Sequence, residues 1–382
     1  MKKILIIHTQ YQIQGGEDIA VENEVKFLQN NFDIERLTFS NKIDSYFSQA
    51  VSFFRNNNYQ SVNALNESLN RFNPDAVYIH NTWFKASLGI FDLLRDREIK
   101  PLLKLHNYRY DCTNSHLLSV HLNNNNPCKA CGLSNTKPRL FNKYYEDSYS
   151  KSFFVNKYGK KYFNILKNYD LNLIVLTNFH KQYLKNVNFI DKEISVIPNI
   201  IDIPDITKDL NKSQYLLYAG RISKEKGVED LIKSFINCNF REVNLKIIGD
   251  GPMLKELKKT YSNKNIEFLN SLPNNKVLSL INDATAVVTA TKLHEGQPTL
   301  LCEASAVGTP SIYPKTGGIS EFFPNDYKFS FNQFDYKDLE EKIKLIISTK
   351  NLEEVGLENK KYINMYLNKK ILLEKFENLI NE

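Results

Sequence analysis

Eleven short runs rich in Ile, Leu, Val and Tyr recur along the chain, each closed by glycine or polar residues and followed by an amphipathic stretch. Neighbouring parallel strands need a long crossover between them, so this alternation is the mark of repeated βαβ units. Six runs lie in the first half, at 4–8, 32–39, 76–80, 102–106, 173–177 and 194–198. Five follow in the second, at 215–220, 244–249, 266–269, 285–290 and 311–313. At 382 residues the chain exceeds what one core usually organises, so the two groups read as two doubly wound, Rossmann-like α/β domains. Pro198 and Pro204 interrupt a polar, Asp-rich segment between them. That sets the domains at 1–199 and 200–365, with a last helix of about 366–382 that packs back on the first. Two domains so joined are expected to face each other across a cleft, with ligands at the C-terminal ends of the strands.

Composition narrows the function. Apolar residues make up 42% and charged residues 24%, which excludes wholesale disorder. No uninterrupted apolar stretch approaches the ~18 residues of a membrane span, and the run at 4–7 is too short for a signal peptide. Five cysteines, an odd number without an export signal, suit a reducing cytoplasm. The formal charge of +7 lies wholly in residues 1–200, and residues 101–200 alone carry 14 basic against 6 acidic side chains. Such an excess suits nucleic acid, a phosphorylated substrate or an anionic membrane, but no nucleic-acid-binding module surrounds it.

Three motifs in the second half converge on a phosphorylated sugar. In Gly220-Arg221-Ile222-Ser223-Lys224-Glu225-Lys226 a strand ends at a glycine, and the planar fork of Arg221 and the point charge of Lys226 suit a diphosphate. In Gly249-Asp250-Gly251-Pro252 glycines permit close backbone approach at a helix start, without the full G-x-G-x-x-G of a dinucleotide dehydrogenase. In His294-Glu295-Gly296-Gln297-Pro298-Thr299 and on to Glu303, two glutamates stand eight apart around a turn that opens a helix. Carboxylates accept from sugar hydroxyls, and the amides at the helix start, apart from Pro298, are donors for a phosphate.

In this order and spacing the motifs resemble a family 4 glycosyltransferase of GT-B fold, of the bacterial polysaccharide-biosynthesis type, over most of residues 214–321, including Gly317-Gly318 and Glu321. The resemblance implies Glu303 on the ribose hydroxyls, Glu295 near the donor sugar, and Arg221 with Lys226 on the diphosphate. It implies a metal-independent reaction, with cations in place of Mg²⁺ and no cofactor beyond the nucleoside diphosphate sugar, uridine diphosphate being the default. In the first half Gly15-Gly16 resembles the family's glycine loop beside the donor phosphates, and His106 the histidine beside the transferred sugar. His80 stands as a supporting or acceptor-side candidate.

Two further features lie outside that core. Cys112, then Cys128-Lys129-Ala130-Cys131, with His116 or His121, supply the four ligands of a structural zinc site; buried thiols or a local disulfide are the alternatives. Residues 137–167 interleave eight basic side chains with aromatics, and Phe154, Tyr158 and Tyr162 follow helical spacing. Such a stretch fits either an anionic membrane surface or a core helix with a solvated face. The expected activity is retaining transfer of a hexose to an acceptor hydroxyl, on a lipid-linked glycan for surface polysaccharide, at the inner face of the membrane. A sugar-nucleotide epimerase or a phosphorylase of the same fold is the alternative, whereas a glycosidase using Glu295 and Glu303 is disfavoured because both share one turn and helix.

Overall fold

The computed structural model describes residues 1–10, 16–40, 57–112, 145, 148–186, 190–202, 214–262 and 265–381. They form two compact units, Met1–Ile200 with Lys369–Glu382, and Ile201–Asn368.

The first unit is a six-stranded sheet in the order β2-β1-β3-β4-β5-β6. Its strands are β1 (Lys3–Gln10), β2 (Asp33–Ser40), β3 (Ala76–Asn81), β4 (Leu102–Leu105), β5 (Asn172–Val175) and β6 (Ile194–Val196). All adjacent pairs are parallel. Side chains alternate across a strand, and β1 shows the consequence. Leu5 and Ile7 enter the core built with α2 (Tyr59–Phe72), α3 (Gly89–Asp96), α4 (Tyr149–Asn168) and α5 (Asn178–Asn186). Ile4 and Ile6 enter the opposite core, with Val21, Val25 and Leu28 of α1 (Gly16–Leu28). A strand buried on both faces must be apolar throughout, which is why the runs read as continuous rather than alternating.

The second unit repeats the plan in the order β12-β11-β10-β7-β8-β9. Its strands are β7 (Tyr215–Ala219), β8 (Asn244–Ile248), β9 (Ile266–Asn270), β10 (Ala286–Val288), β11 (Ser311–Lys315) and β12 (Ser330–Asn332). One face carries α6 (Val228–Asn237), α7 (Leu254–Tyr261) and α10 (Tyr336–Ser348); the other carries α8 (Asn274–Asp283), α9 (Thr299–Val307) and α11 (Leu352–Tyr366). β12 has no counterpart among the eleven predicted runs. It is a three-residue edge strand, Ser-Phe-Asn, too short and too polar to show a period, and it is held by register with Tyr313–Lys315.

After α11 the chain returns to the first unit as α12 (Lys369–Leu379), which buries Leu372, Phe376 and Leu379 against Ile4, Val21 and Tyr78. Phe376 meets the rings of Phe32 and Tyr78 at 5.9 and 5.1 Å. Among the described residues no helix is long and apolar enough to cross a membrane.

In each sheet the chain reverses its direction of travel once, between β1 and β3 and between β7 and β10. At such a reversal the connections leave on opposite faces and open a crevice at the strand ends.

Candidate functional site

In the second unit the residues picked from sequence gather at the β7–β10 reversal. The loop after β7 and the loop after β8 are tied by backbone bonds: Gly220 N–H to Ile248 O at 3.0 Å, Ile222 N–H to Asp250 O at 2.8 Å and Met253 N–H to Ile222 O at 3.1 Å. The approach is so close that a Cβ on Gly249, whose φ is +138°, would lie 1.9 Å from Gly220 O. Only glycine fits there. The Tyr218 hydroxyl donates to Arg221 O at 2.9 Å and fixes the turn, while the Arg221 side chain is exposed and has no ion-pair partner among the described residues.

Lys226 and Glu295 come from loops 69 residues apart and meet: Lys226 Nζ donates to Glu295 Oε1 at 2.6 Å, and Thr291 Oγ1 donates to the same oxygen at 2.9 Å. Both donors converge on Oε1, so Oε2 keeps its lone pairs without a partner among the described residues. The backbone of Glu295 is held by Gly318 N–H at 2.9 Å. Gly317, at φ +56°, passes so near that a Cβ would sit 2.3 Å from Glu295 O. These contacts fix the carboxylate by its main chain and by its side chain.

Gly296, Gln297 and Pro298 lead, half-buried, into α9, where Pro298 O accepts the amides of Leu301 and Cys302 at 3.0 Å. The amides of Thr299 and Leu300 precede that first helical bond, and a helix start favours an anion. Glu303 lies one turn further on, where burial pushes its carboxyl up to about 7. It has no ion pair among the described residues. Gly251 belongs to the interlocked loops: a Cβ on it would lie 2.3 Å from Ile222 O.

In the first unit the β1–β3 reversal is lined by histidines at strand ends. His8 Nε2, of β1, and Asp18 Oδ1, in the first turn of α1, are 2.9 Å apart and buried. His80 Nδ1 and His106 Nε2 are 3.0 Å apart with rings stacked at 5.3 Å. Burial, and after it the charge of Lys104 among the neighbours, holds both imidazoles well below the ordinary histidine value, so both are neutral near pH 7. Beneath them Lys104 Nζ, fully buried, donates to both oxygens of Glu24 at 2.9 and 2.8 Å, and the Tyr78 hydroxyl donates to Oε1 at 2.8 Å. The segment after His106 is fixed by Asn107 Nδ2 to Glu17 Oε2 at 3.2 Å and by Arg109 over the Trp83 ring at 4.6 Å. A small cavity, open to solvent, lies here, lined by His80, His106, Asn107, Arg109, Trp83 and Tyr158 among others.

Gly16 is the first residue of α1, while Gly15 lies outside the described residues. Cys112 is buried next to Tyr108 and Tyr110 in the core; Cys128, Cys131, His116 and His121 lie outside the described residues, as does most of 137–147. The rest of the basic, aromatic stretch is α4, which turns Val155, Tyr158, Ile165 and Leu166 inward and leaves Tyr149 and Phe153 about half exposed beside Lys151 and Lys157. Tyr158 is a core residue, its hydroxyl 3.0 Å from Thr82 Oγ1. Lys161 pairs with Asp92 at 2.8 Å.

Sequence reasoning missed His8, Asp18 and the Glu24–Lys104 pair. Their signal was present: Glu24 interrupts the apolar face of α1 between Val21 and Leu28, and Lys104 sits inside the strand Leu-Leu-Lys-Leu. Charges at such positions need partners.

The comparisons with known proteins fall on this arrangement. Residues 200–362 match the family described as glycosyl transferases group 1. Over 183 residues the chain is 28% identical to the capsular polysaccharide biosynthesis glycosyltransferase CapM of Staphylococcus aureus, a stretch covering 46% of this chain and 47% of that protein. The chain thus matches about half the length of that curated relative. Among solved structures it is similar to sucrose-phosphate synthase from Thermosynechococcus elongatus, at TM-score 0.72 and 15% identity over 100% of this chain and 98% of that one. It is also similar to Anabaena HepE in complex with UDP and glucose, at TM-score 0.69 and 14% identity over 100% of both. The chain therefore has the two-domain α/β fold of GT-B glycosyltransferases, and the group 1 match coincides with the unit that carries the Lys226–Glu295 pair.

Proposed function

We propose that this protein is a retaining glycosyltransferase of family 4 type, which moves a hexose from a nucleoside diphosphate sugar to an acceptor hydroxyl. The observation that carries the reading is the Lys226–Glu295 bond at the β7–β10 reversal, beside two glycine turns interlocked through their backbones. Arg221 and Lys226 offer the charge a leaving diphosphate needs, and the first amides of α9 add donors. Glu295 Oε2 and Glu303 are acceptors for sugar and ribose hydroxyls. No described residue of this site is proposed as a covalent nucleophile, so the acceptor hydroxyl attacks on the face from which the diphosphate leaves and passes its proton to a phosphate oxygen. The cations then stabilise the charge that develops on the leaving group, without a metal ion being required. Uridine diphosphate is the proposed carrier, in keeping with the UDP bound by HepE.

The acceptor is proposed to be a lipid-linked glycan for surface polysaccharide, reached from the cytoplasmic face of the membrane; CapM's role in capsular polysaccharide biosynthesis and the exposed Tyr149 and Phe153 beside lysines support it. Calorimetry with uridine, guanosine and adenosine diphosphates tests the donor site. One of them should bind at micromolar to millimolar concentration, and no binding at all would overturn the reading. His106→Ala should leave that affinity within twofold and lower sugar transfer about tenfold, the cost of one hydrogen bond to a sugar hydroxyl. Transfer at the wild-type rate would remove His106 from the sugar. Conversion of the donor into its epimer, with no transfer, would favour the epimerase alternative.

A further inference from the structure

The pair of histidines in the first unit carries more than a packing contact. Two imidazoles joined through one ring nitrogen each, His80 Nδ1 to His106 Nε2 at 3.0 Å, share a single proton when both are neutral. One ring donates and the other accepts. Each neutral ring has one N–H, so the accepting ring must carry its proton on its other nitrogen, and the donating ring must leave its other nitrogen bare. The outer nitrogens, His80 Nε2 and His106 Nδ1, are thus always in opposite states.

Their surroundings differ. His80 is 4% exposed, and its Nε2 is buried without a hydrogen-bond partner among the described residues. Both rings line the small cavity, but His106 is only partly buried. An N–H at His80 Nε2 would be a buried donor with nothing to donate to, whereas a bare nitrogen there loses less. This favours one arrangement: His80 donates from Nδ1, His106 accepts at Nε2, and the proton of His106 sits on Nδ1, at the cavity.

We propose that His80 is a positioning residue that fixes the tautomer of His106, so that His106 offers an N–H rather than a lone pair to a sugar hydroxyl oxygen in the cavity. The ring stacking at 5.3 Å and 28° sets the orientation of the His106 plane, and the hydrogen bond sets its proton. The assignment of the proton stands on the two rings and their burial alone; the role of that N–H toward a sugar rests on the reading of the protein as a glycosyltransferase.

Selective ¹⁵N labelling of the seven histidines and long-range ¹H–¹⁵N correlation on the full chain at pH 8 read the tautomer directly. His106 should show a protonated Nδ1 and a bare Nε2. In His80→Phe, with no donor left at that place, His106 should revert to the Nε2–H form that an unconstrained imidazole prefers. In His80→Asn, whose carboxamide can donate from nearly the position of Nδ1, the Nδ1–H form should persist. A wild-type spectrum with the proton of His106 on Nε2 overturns the proposal, even if neither variant folds; so does a His80→Phe spectrum unchanged at His106.

The second arm uses hydrolysis of UDP-glucose, UDP-N-acetylglucosamine and GDP-mannose. For the donor that wild type turns over, His80→Phe should lower kcat by up to about tenfold, no more than the loss of His106 itself, with nucleotide affinity unchanged, and His80→Asn should restore most of it. A general loss of folding would instead weaken nucleotide binding and activity together and would not be rescued by asparagine. Absence of turnover with every donor, alongside the expected spectra, would count against the glycosyltransferase reading and leave the tautomer assignment standing.

Discussion

Glu303→Ala should weaken nucleoside diphosphate binding by a factor of about a hundred to a thousand, because a carboxylate that accepts two ribose hydroxyls contributes roughly 1.5 to 2 kcal/mol with each. The same residue makes the affinity of the wild type depend on pH. Burial raises the Glu303 carboxyl to about 7, so a ligand that needs the ionised form must remove a proton below that value. Affinity should therefore be full above pH 8 and fall about tenfold between pH 8 and pH 6. Glu303→Gln, which cannot titrate, should bind more weakly and with a flat profile once the ligand's own phosphate titration is subtracted. Calorimetry at four pH values decides the matter, and a wild-type profile as flat as that of Glu303→Gln would remove the carboxyl from the ribose.

Stability runs the other way. A carboxyl whose folded value lies above its unfolded value of about 4.3 holds a proton that the unfolded chain has lost, so its contribution is most favourable below about pH 4.3. That contribution declines as pH rises, and is gone above about 7. Glu303→Gln should consequently raise the melting temperature at pH 8 more than at pH 5. The glutamate is kept against the stability of its own helix, as is common where a group serves a ligand.

Lys104→Met should be the most damaging single change in the first unit. It leaves the Glu24 carboxylate buried with only the Tyr78 hydroxyl for company, and breaking a buried ion pair costs about 3 to 5 kcal/mol. In a unit of this size that lowers the melting temperature by roughly ten degrees. The double change Lys104→Met with Glu24→Leu should recover most of the loss, since two apolar side chains remove the uncompensated charge. Equal melting temperatures for single and double variants would show that the pair is not what holds α1 to β4. Lys104 also acts on the chemistry: its cation is among the causes that keep His80 and His106 neutral, so its removal should make both rings more basic.

How much of this was legible in the sequence depends on the range of the interaction. The two parallel sheets were, because a strand buried on both faces writes itself as a continuous apolar run with punctuation at its end. β12 was not, because three residues at a sheet edge carry no period and exist only through their register with β11. The spacing of Glu295 and Glu303 could be read as turn and helix because both lie in one local segment, and the structure has Glu295 in the turn and Glu303 on α9. The bond from Lys226 to Glu295 could not be read, nor could that from Lys104 to Glu24, 80 residues apart. Each member of those pairs was visible as a charge in an apolar or glycine-rich setting, but the partner follows only from the strand order. The histidine pair is the same case: two strand ends, adjacent only because β3 pairs with β4.

The return of the chain as α12 has a consequence for how the protein is made. Leu372, Phe376 and Leu379 complete one face of the first sheet, yet they leave the ribosome only after all of Ile201–Asn368. At ordinary elongation rates that interval is on the order of ten to thirty seconds. During it Tyr78, which holds Glu24, and the apolar face of α1 lack their cover. The first unit therefore begins folding first but finishes last, and nascent chains stalled before Lys369 should be the form most in need of a chaperone.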